Sequence, residues 1–263
     1  MIYKYLLITF MTGLFSIQAL SAEWTNNSDI KIIFDEKKVK GTFVLYDISN
    51  ELFVGFNEAR SKTRYIPGST FKIGNSLIGL SVGAVKNVDE VLPYGGEDQP
   101  IKSWEHNMSL RDAIKISNVP IYQELARRIN LFRMQKNITK LNYGNMDLGL
   151  LIDRFWLDGP LQISAMEQVL FISMLAKKKL DFKVSHQEAI AEILEIQKTE
   201  DYTLYVKTGW QTATDPGIGW WVGWIERDEK IYAFALNIDM NNINDARLRT
   251  ELGVASLKVL GLL

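Results

Sequence analysis

Strand-like patterns of apolar residues lie near both ends of the chain, and helix-like patterns lie between them. Residues 41–48 are rich in strand-forming side chains, and residues 51–56 follow across Ser49-Asn50, which predicts a hairpin. Three further strands are predicted near the end of the chain, at residues 202–206, 219–226 and 231–240. The polar residues 227–230 fit a turn between the last two strands.

Helical periodicity fills the middle of the chain and returns at its end. Residues 71–82 are apolar nearly all round, which predicts a buried helix. Five more helices are predicted between the two groups of strands, at residues 110–116, 122–129, 133–141, 165–175 and 189–196. A last helix is predicted from apolar residues spaced three and four apart, which are Leu248, Leu252, Ala255, Val259 and Leu262.

This order of elements predicts an α+β fold rather than an alternating α/β fold. Strands from both ends of the chain can form one antiparallel sheet flanked by terminal helices, and the middle helices can form a separate lobe. We expect a ligand to bind in the cleft between sheet and lobe. No internal repeat or linker divides residues 23–263, which we predict to be one domain.

The first 22 residues are typical of a signal peptide. A charged start with Lys4 precedes the apolar residues 6–15, and the small residues Ala19, Ser21 and Ala22 follow. The alternative is an N-terminal membrane anchor, but the apolar run is short for a membrane span. We therefore predict export to the periplasm, with no stable membrane insertion after cleavage.

Composition narrows the possible chemistry. The chain has 263 residues, 30 basic and 31 acidic, and loss of Lys4 with the signal peptide would leave 29 basic, a net charge of −2. No basic run favours nucleic acid as a partner. Cysteine is absent and only two histidines occur, His106 and His186, so thiolate chemistry and three-histidine metal sites are excluded. We expect both histidines to lie at the surface and predict no metal.

One short motif suggests a nucleophile and its base. Ser69 and Lys72 are three residues apart where a predicted helix begins, so their side chains lie on the same face. Apolar neighbours disfavour the charged form of Lys72, and so does the positive end of the helix dipole. A neutral lysine can take the proton of a serine hydroxyl. Taken alone, however, Ser-x-x-Lys is common in ordinary helices.

Further short motifs follow in order along the chain: Ser117-Asn118-Val119, Tyr143-Gly144-Asn145, Phe155-Trp156-Leu157 and Lys207-Thr208-Gly209. The last of these is predicted to end the strand at residues 202–206, with Lys207 and Gly209 on one face and Thr208 on the other. Ser-x-x-Lys followed by Ser-x-x and then Lys-Thr-Gly is the motif set of penicillin-binding proteins and serine β-lactamases. With Trp156 and its neighbours, the chain resembles the class D, oxacillinase-type, serine β-lactamases over nearly its whole mature length.

The resemblance implies a role for each motif residue. Lys72 would carry CO₂ as a covalent carbamate and serve as general base to Ser69, with no other cofactor. Trp156 would donate a hydrogen bond to the carbamate, and Val119 and Leu157 would form an apolar wall beside it. Ser117 would protonate the departing lactam nitrogen. The substrate would be held by Lys207, Thr208, Gly209, the backbone N–H groups of Ser69 and Trp210, and Arg249.

Several assignments stay open at the level of sequence. Arg247 is as good a candidate as Arg249 for the substrate carboxylate, because periodicity does not separate them. Tyr143 and Asn145 are expected to hold the site together, and Trp104 either lines the cleft or packs. Alternative functions are a β-lactam sensor, a cell-wall peptidase and a non-catalytic structural protein. A sensor is expected to carry a membrane helix and a signalling segment. We predict a penicillin as substrate and a monomer or homodimer.

Overall fold

The computed structural model describes residues 23–263 and is built around a seven-stranded sheet. In chain order the strands are β1 (Trp24–Asn26), β2 (Gly41–Asp47), β3 (Leu52–Phe56), β4 (Glu195–Lys198), β5 (Tyr202–Gln211), β6 (Gly217–Arg227) and β7 (Lys230–Met240). Their spatial order is β1-β3-β2-β7-β6-β5-β4, so strands from both ends of the chain meet in the middle, as predicted. All neighbours are antiparallel except β1, which runs parallel to β3.

The predicted end of the strand at residues 202–206 is wrong. β5 continues to Gln211, because Trp210 and Gln211 still pair with Gly219 and Ile218 of β6. The Lys207-Thr208-Gly209 motif therefore lies inside a strand rather than at its end. β4 pairs only with residues 203–205 of β5, so the rest of that edge has no partner strand among residues 23–263.

Nine α-helices are present in the described part of the chain. They are α1 (Ser28–Lys37), α2 (Glu58–Ser61), α3 (Lys72–Ser81), α4 (Leu110–Lys115), α5 (Val119–Ile129), α6 (Leu131–Leu141), α7 (Ala165–Ala176), α8 (Val184–Leu194) and α9 (Ala246–Val259). The helix predicted at residues 189–196 begins earlier and ends earlier, and Ile196 lies in strand β4. Two short strand pairs complete the lobe, Arg64–Tyr65 with Ile163–Ser164 and Val91–Leu92 with Met108–Ser109.

Sequence patterns did not predict α1. Its only buried side chains are Ile30 and Phe34, too few to make a visible apolar stripe. Its start is fixed instead by Asn27, whose side chain accepts hydrogen bonds from the backbone N–H groups of Asp29 and Ile30. The helix packs beside α9, so both terminal helices cover the same face of the sheet.

The two faces of the sheet have separate cores. One core joins α1 and α9 to the sheet through residues such as Phe34, Trp221 and Leu252. The larger core lies under α7 and the other helices of the lobe, and it includes Trp156, Trp220 and many aliphatic side chains. The α+β fold class is confirmed, and the site residues lie where the helical lobe meets strand β5.

The predicted signal peptide, residues 1–22, lies outside the described residues. Across residues 23–263, none of the helices combines the length and the apolar character that crossing a bilayer requires.

Candidate active site

A tight turn presents Ser69 at the start of α3. Residues Gly68–Phe71 form a 3₁₀ turn, and Lys72 is the first residue of the α-helix. Gly68 has a φ of 52°, and a Cβ atom there would lie 2.7 Å from the carbonyl oxygen of Trp210. Only glycine allows both this backbone conformation and this approach. The turn that carries Ser69 is thereby packed against β5.

Ser69 and Lys72 form the pair that their spacing predicted. The Nζ atom of Lys72 lies 2.8 Å from the Oγ atom of Ser69, and the Lys72 side chain is fully buried. Burial, with a smaller effect from the charge of Lys207, holds the pKa of Lys72 well below its usual range. The amine also lies 5.2 Å from the centre of the Tyr122 ring. Burial thus favours the neutral form of the amine next to the serine hydroxyl.

Trp156 is buried beside the same turn. The centre of its ring lies 5.9 Å from the centre of the ring of Phe71, the residue before Lys72. The neighbouring Phe155 packs on both rings. Within residues 23–263 no acceptor is hydrogen-bonded to the buried indole N–H of Trp156. Buried donors are almost always paired, so this unpaired group is a place where an anion could be held.

A second lysine and a second serine face the first pair. The Nζ atom of Lys207 lies 2.5 Å from the Oγ atom of Ser117 and 3.0 Å from the carbonyl oxygen of Thr208. Lys207 is buried, and burial, together with the charge of Arg249, lowers its pKa to about 7. Ser117 has a φ of 55°, a left-handed conformation that is uncommon outside glycine. Lys207 and Ser117 are therefore placed to exchange a proton.

Strand β5 brings the rest of the predicted motif to the Ser69 turn. A Cβ atom on Gly209 would lie 2.8 Å from the carbonyl oxygen of Pro67 and 3.1 Å from the backbone nitrogen of Thr70. Strand pairing puts Lys207 and Gly209 on the face of the helical lobe and the half-buried Thr208 on the face of α9, as predicted. Trp210 lies next to Gly68 through its backbone.

Arg249 reaches the site and Arg247 does not. The Nη1 atom of Arg249 lies 2.5 Å from the carbonyl oxygen of Gly209, and its stem passes over Gly219, where a Cβ atom would lie 2.7 Å from Cδ of the arginine. The side chain of Arg247 is 80% exposed and contacts Glu251. The structure thus brings Arg249 to β5, which sequence periodicity left undecided.

Lys72, Lys207 and Arg249 give the site three basic side chains. No carboxylate of the described chain is among the causes of their pKa shifts, and burial lowers the pKa of Arg249 to about 10. Basic side chains without a carboxylate partner favour an anionic ligand, because an anion pairs with the Arg249 guanidinium and favours the protonated form of Lys207.

The remaining predicted residues lie around this centre. Val119 is half-buried and opens α5 directly after Ser117-Asn118, and Leu157 is half-buried beside Trp156. Tyr143 is fully buried, and the centre of its ring lies 5.3 Å from the centre of the Phe71 ring. Asn145 closes the loop that carries Trp156, because its side chain bonds the carbonyl oxygen of Pro160 and the N–H of Gln162.

The two histidines lie outside the group of site residues. His106 is exposed, and His186 on α8 is half-buried with its Nδ1 atom 3.3 Å from Ser81. Neither is hydrogen-bonded to Ser69, Lys72 or Ser117.

A buried amide that the sequence patterns did not indicate lies behind the nucleophile. Gln168 on α7 donates from Nε2 to the Oγ1 atom of Thr70 at 2.8 Å, and Thr70 donates on to the carbonyl oxygen of Pro67 at 2.9 Å. This chain ties the Ser69 turn to α7. The only signal in the sequence was a polar residue at a core position of a strongly apolar helix.

Comparison with known proteins first defines the class of the protein. Residues 35–256 match the family described as the penicillin binding protein transpeptidase domain. The fold, the Ser69–Lys72 pair and the Lys207-Thr208-Gly209 strand are thus those of a penicillin-binding transpeptidase domain.

Individual relatives and a solved structure place the chain more narrowly within that class. It is 38% identical to β-lactamase OXA-19 of Pseudomonas aeruginosa, over 92% of either protein, and 36% identical to β-lactamase OXA-48 of Klebsiella pneumoniae, over 94% of either. The crystal structure of FUS-1 (OXA-85), a class D β-lactamase from Fusobacterium nucleatum subsp. polymorphum, superposes with a TM-score of 0.89 at 44% identity, covering 91% of this chain and 100% of that one. This chain belongs to the class D β-lactamases.

Proposed function

We propose that the protein hydrolyses the β-lactam ring of penicillins through an acyl-enzyme on Ser69, with a carboxylated Lys72 as general base. The observation that carries the proposal is the 2.8 Å contact between a buried lysine amine and a serine hydroxyl. The β-lactamases among the relatives support the same activity. Hydrolysis of penicillins would make bacteria that carry the protein resistant to them.

The surroundings of Lys72 fit a carbamate. Only a neutral amine combines with CO₂, and the lowered pKa of Lys72 favours that form. The carbamate is an anion that needs donors, and the indole N–H of Trp156 is a buried donor that no acceptor in residues 23–263 satisfies. When bound, the group would supply an anionic base beside Ser69 for both halves of the reaction, which suits a site without a nearby histidine.

The other residues would bind and orient the substrate for attack by Ser69. The backbone N–H groups of Ser69 and Trp210 are the candidates for the oxyanion hole, since the turn and β5 meet at Gly68. Arg249 and Thr208 would bind the substrate carboxylate, with Lys207 adding positive charge behind them. The open edge of β5 leaves room for the substrate beside Gly209.

Ser117 would deliver the proton that the lactam nitrogen needs as the ring opens. Its Oγ atom is held by Lys207, whose pKa of about 7 lets it gain or lose a proton near neutral pH. Water would then hydrolyse the ester on Ser69 and release the opened antibiotic. We further propose that the protein acts in the periplasm after removal of residues 1–22, as a monomer or homodimer.

The experiment that tests this function is penicillin hydrolysis with and without bicarbonate. We expect turnover that falls at low pH, because a carbamate loses CO₂ when it is protonated, and that bicarbonate partly restores. The Trp156→Phe variant lacks the indole donor, so it should need far more bicarbonate to restore turnover. In ¹³C NMR with labelled bicarbonate, this variant should lose the carbamate signal. Trp224→Phe is a matched control, because that buried indole bonds Glu226 away from the site.

Three outcomes would contradict the proposal. An enzyme whose acidic activity ignores bicarbonate, with no carbamate signal, would rule out carboxylated Lys72. A protein that stays acylated for hours by mass spectrometry would be a β-lactam sensor, and one that cleaves D-Ala-D-Ala peptides rather than penicillins would be a cell-wall peptidase.

A further inference from the structure

A buried amide in the Ser117 motif has contacts that the mechanism above does not use. Asn118 is fully buried, and its Oδ1 atom accepts a hydrogen bond from the N–H of Ile121, which caps the start of α5. Its Nδ2 atom donates to the carbonyl oxygen of Trp104 at 3.1 Å. The cap alone would use only the acceptor, so the donor serves a second purpose.

Trp104 in turn forms a hydrogen bond to the residue on the other side of Ser117. Its indole N–H donates to the carbonyl oxygen of Ile116 at 3.1 Å. The two hydrogen bonds, from Asn118 to Trp104 and from Trp104 to Ile116, are here called the Trp104 clasp. They hold the residues immediately before and after Ser117 to a separate segment of the lobe, the turn Lys102–Trp104.

The clasp surrounds a residue in an unfavourable conformation. Ser117 has a φ of 55°, which a serine adopts only when its surroundings impose it. Among residues 23–263, the backbone of Ser117 bonds only the carbonyl of Ile114, at 3.3 Å, so it does little to hold that conformation. The position of the Ser117 hydroxyl, 2.5 Å from Lys207, thus depends on how residues 116 and 118 are anchored.

We propose that Asn118 is a positioning residue that acts through Ser117, holding its hydroxyl where it serves proton transfer. This inference rests on the proposed function, because it assigns a purpose to the same site. Since Ser117 lies in a left-handed turn, loosening one neighbour lets the turn relax toward commoner backbone conformations and withdraws the hydroxyl from Lys207. Asn118 itself touches no reacting atom.

The test compares two asparagines, each of which caps the start of a helix, and the two helices have the same length. Asn118→Ser keeps a good cap for α5 but is too short to reach Trp104. Asn130→Ser makes the same change at the cap of α6, where, within the described residues, the Asn130 side chain bonds only the N–H of Arg133. The readout is the rate constant for acylation of Ser69 by a fluorescent penicillin, measured with the full chain.

We expect Asn118→Ser to slow acylation on the order of tenfold, as partial loss of proton transfer predicts, and Asn130→Ser to change it less than about twofold. In a Ser117→Ala background, the effect of Asn118→Ser should vanish, because the hydroxyl that it positions is gone. A merely structural loss would persist in that background. Thermal unfolding of each variant should show a folded protein.

Each other result overturns the proposal. If Asn118→Ser matches Asn130→Ser, Asn118 is only a cap, although the proposed function stands. If its effect persists in Ser117→Ala, Asn118 does not act through Ser117. If the penicillin does not acylate the wild-type protein, both the proposed function and this inference are wrong.

Discussion

At the scale of single residues, the site consists of buried amines that are kept for chemistry and not for stability. Lys207 is almost fully buried and has no carboxylate among the causes of its pKa shift. Burying a charge without an opposite partner is unfavourable, so such a residue persists only where its charge or its proton is used. The same reasoning applies to Lys72.

The unfavourable burial of the Lys207 charge predicts how the stability of the protein depends on pH. The fold lowers the pKa of Lys207 from 10.5 to about 7. Between these values the unfolded chain holds a proton that the folded protein lacks, so the free energy of unfolding rises with pH across this window and is lowest, for this group, below pH 7. Lys207→Met should therefore raise the melting temperature at pH 7 by about 2–4 °C. The increase in the free energy of unfolding with pH should become smaller, and penicillin turnover should fall.

The control is Lys136→Met on α6. That lysine is exposed and forms no ion pair among residues 23–263, so its replacement should change the melting temperature little. Differential scanning calorimetry from pH 6 to about 10.5 measures both variants over the window in which the proton is lost. A Lys207→Met protein that melts at or below the wild-type temperature throughout would contradict the prediction.

Residue-level prediction from the sequence worked where residue type and spacing limit the chemistry. A serine and a lysine three residues apart at a helix start give the 2.8 Å contact almost automatically. Asn118 and Gln168 gave no such signal. A buried amide does its work through partners far along the chain, such as Thr70 for Gln168, and the sequence does not show which carbonyl or hydroxyl it will meet.

At the scale of elements, periodicity predicted most helices and strands but not their ends. The strand at residues 202–206 was predicted to end with the Lys207-Thr208-Gly209 motif, whereas β5 continues to Gln211. Gly209 is present for another reason: the Ser69 turn packs on it. A glycine that makes room for a neighbour looks the same in sequence as a glycine that ends a strand.

That packing predicts the effect of Gly209→Ala. The new methyl group would meet the carbonyl oxygen of Pro67 at 2.8 Å and the nitrogen of Thr70 at 3.1 Å, both backbone atoms that cannot rotate away. The Ser69 turn must then move away from β5, and a displacement near 1 Å costs about a hundredfold in rate. We expect acylation by a penicillin to fall by about that factor in protein that remains folded.

Gly223→Ala is the matched control for crowding within the sheet. Its methyl group would meet the carbonyl oxygen of Tyr205, also a backbone atom, but it lies in β6 away from the Ser69 turn. It should lower the melting temperature without slowing acylation per folded molecule. If Gly209→Ala also lost only stability, the packing of turn on strand would not position the nucleophile.

At the scale of the whole molecule, the active site draws on parts of the chain that are far apart in sequence. The Ser69 turn, Ser117, Trp156, strand β5 and Arg249 meet because strands from both ends of the chain share one sheet. The order of the motifs suggested this assembly, but no periodicity gives the distance between separate elements. The choice of Arg249 over Arg247 needed the path of α9 across Gly219.

The same architecture predicts that histidine takes no part in turnover. His106 is exposed on the lobe and His186 contacts Ser81, while Ser69 is paired with Lys72. The double variant His106→Gln, His186→Gln should therefore keep kcat/KM for a penicillin within about twofold of wild type, since changes outside the site rarely cost more. Lys72→Ala, measured beside it, should leave slow acylation at most. Because a serine hydrolase with a histidine base loses several orders of magnitude without it, a large loss in the double variant would move the general base from Lys72 to a histidine and overturn the mechanism.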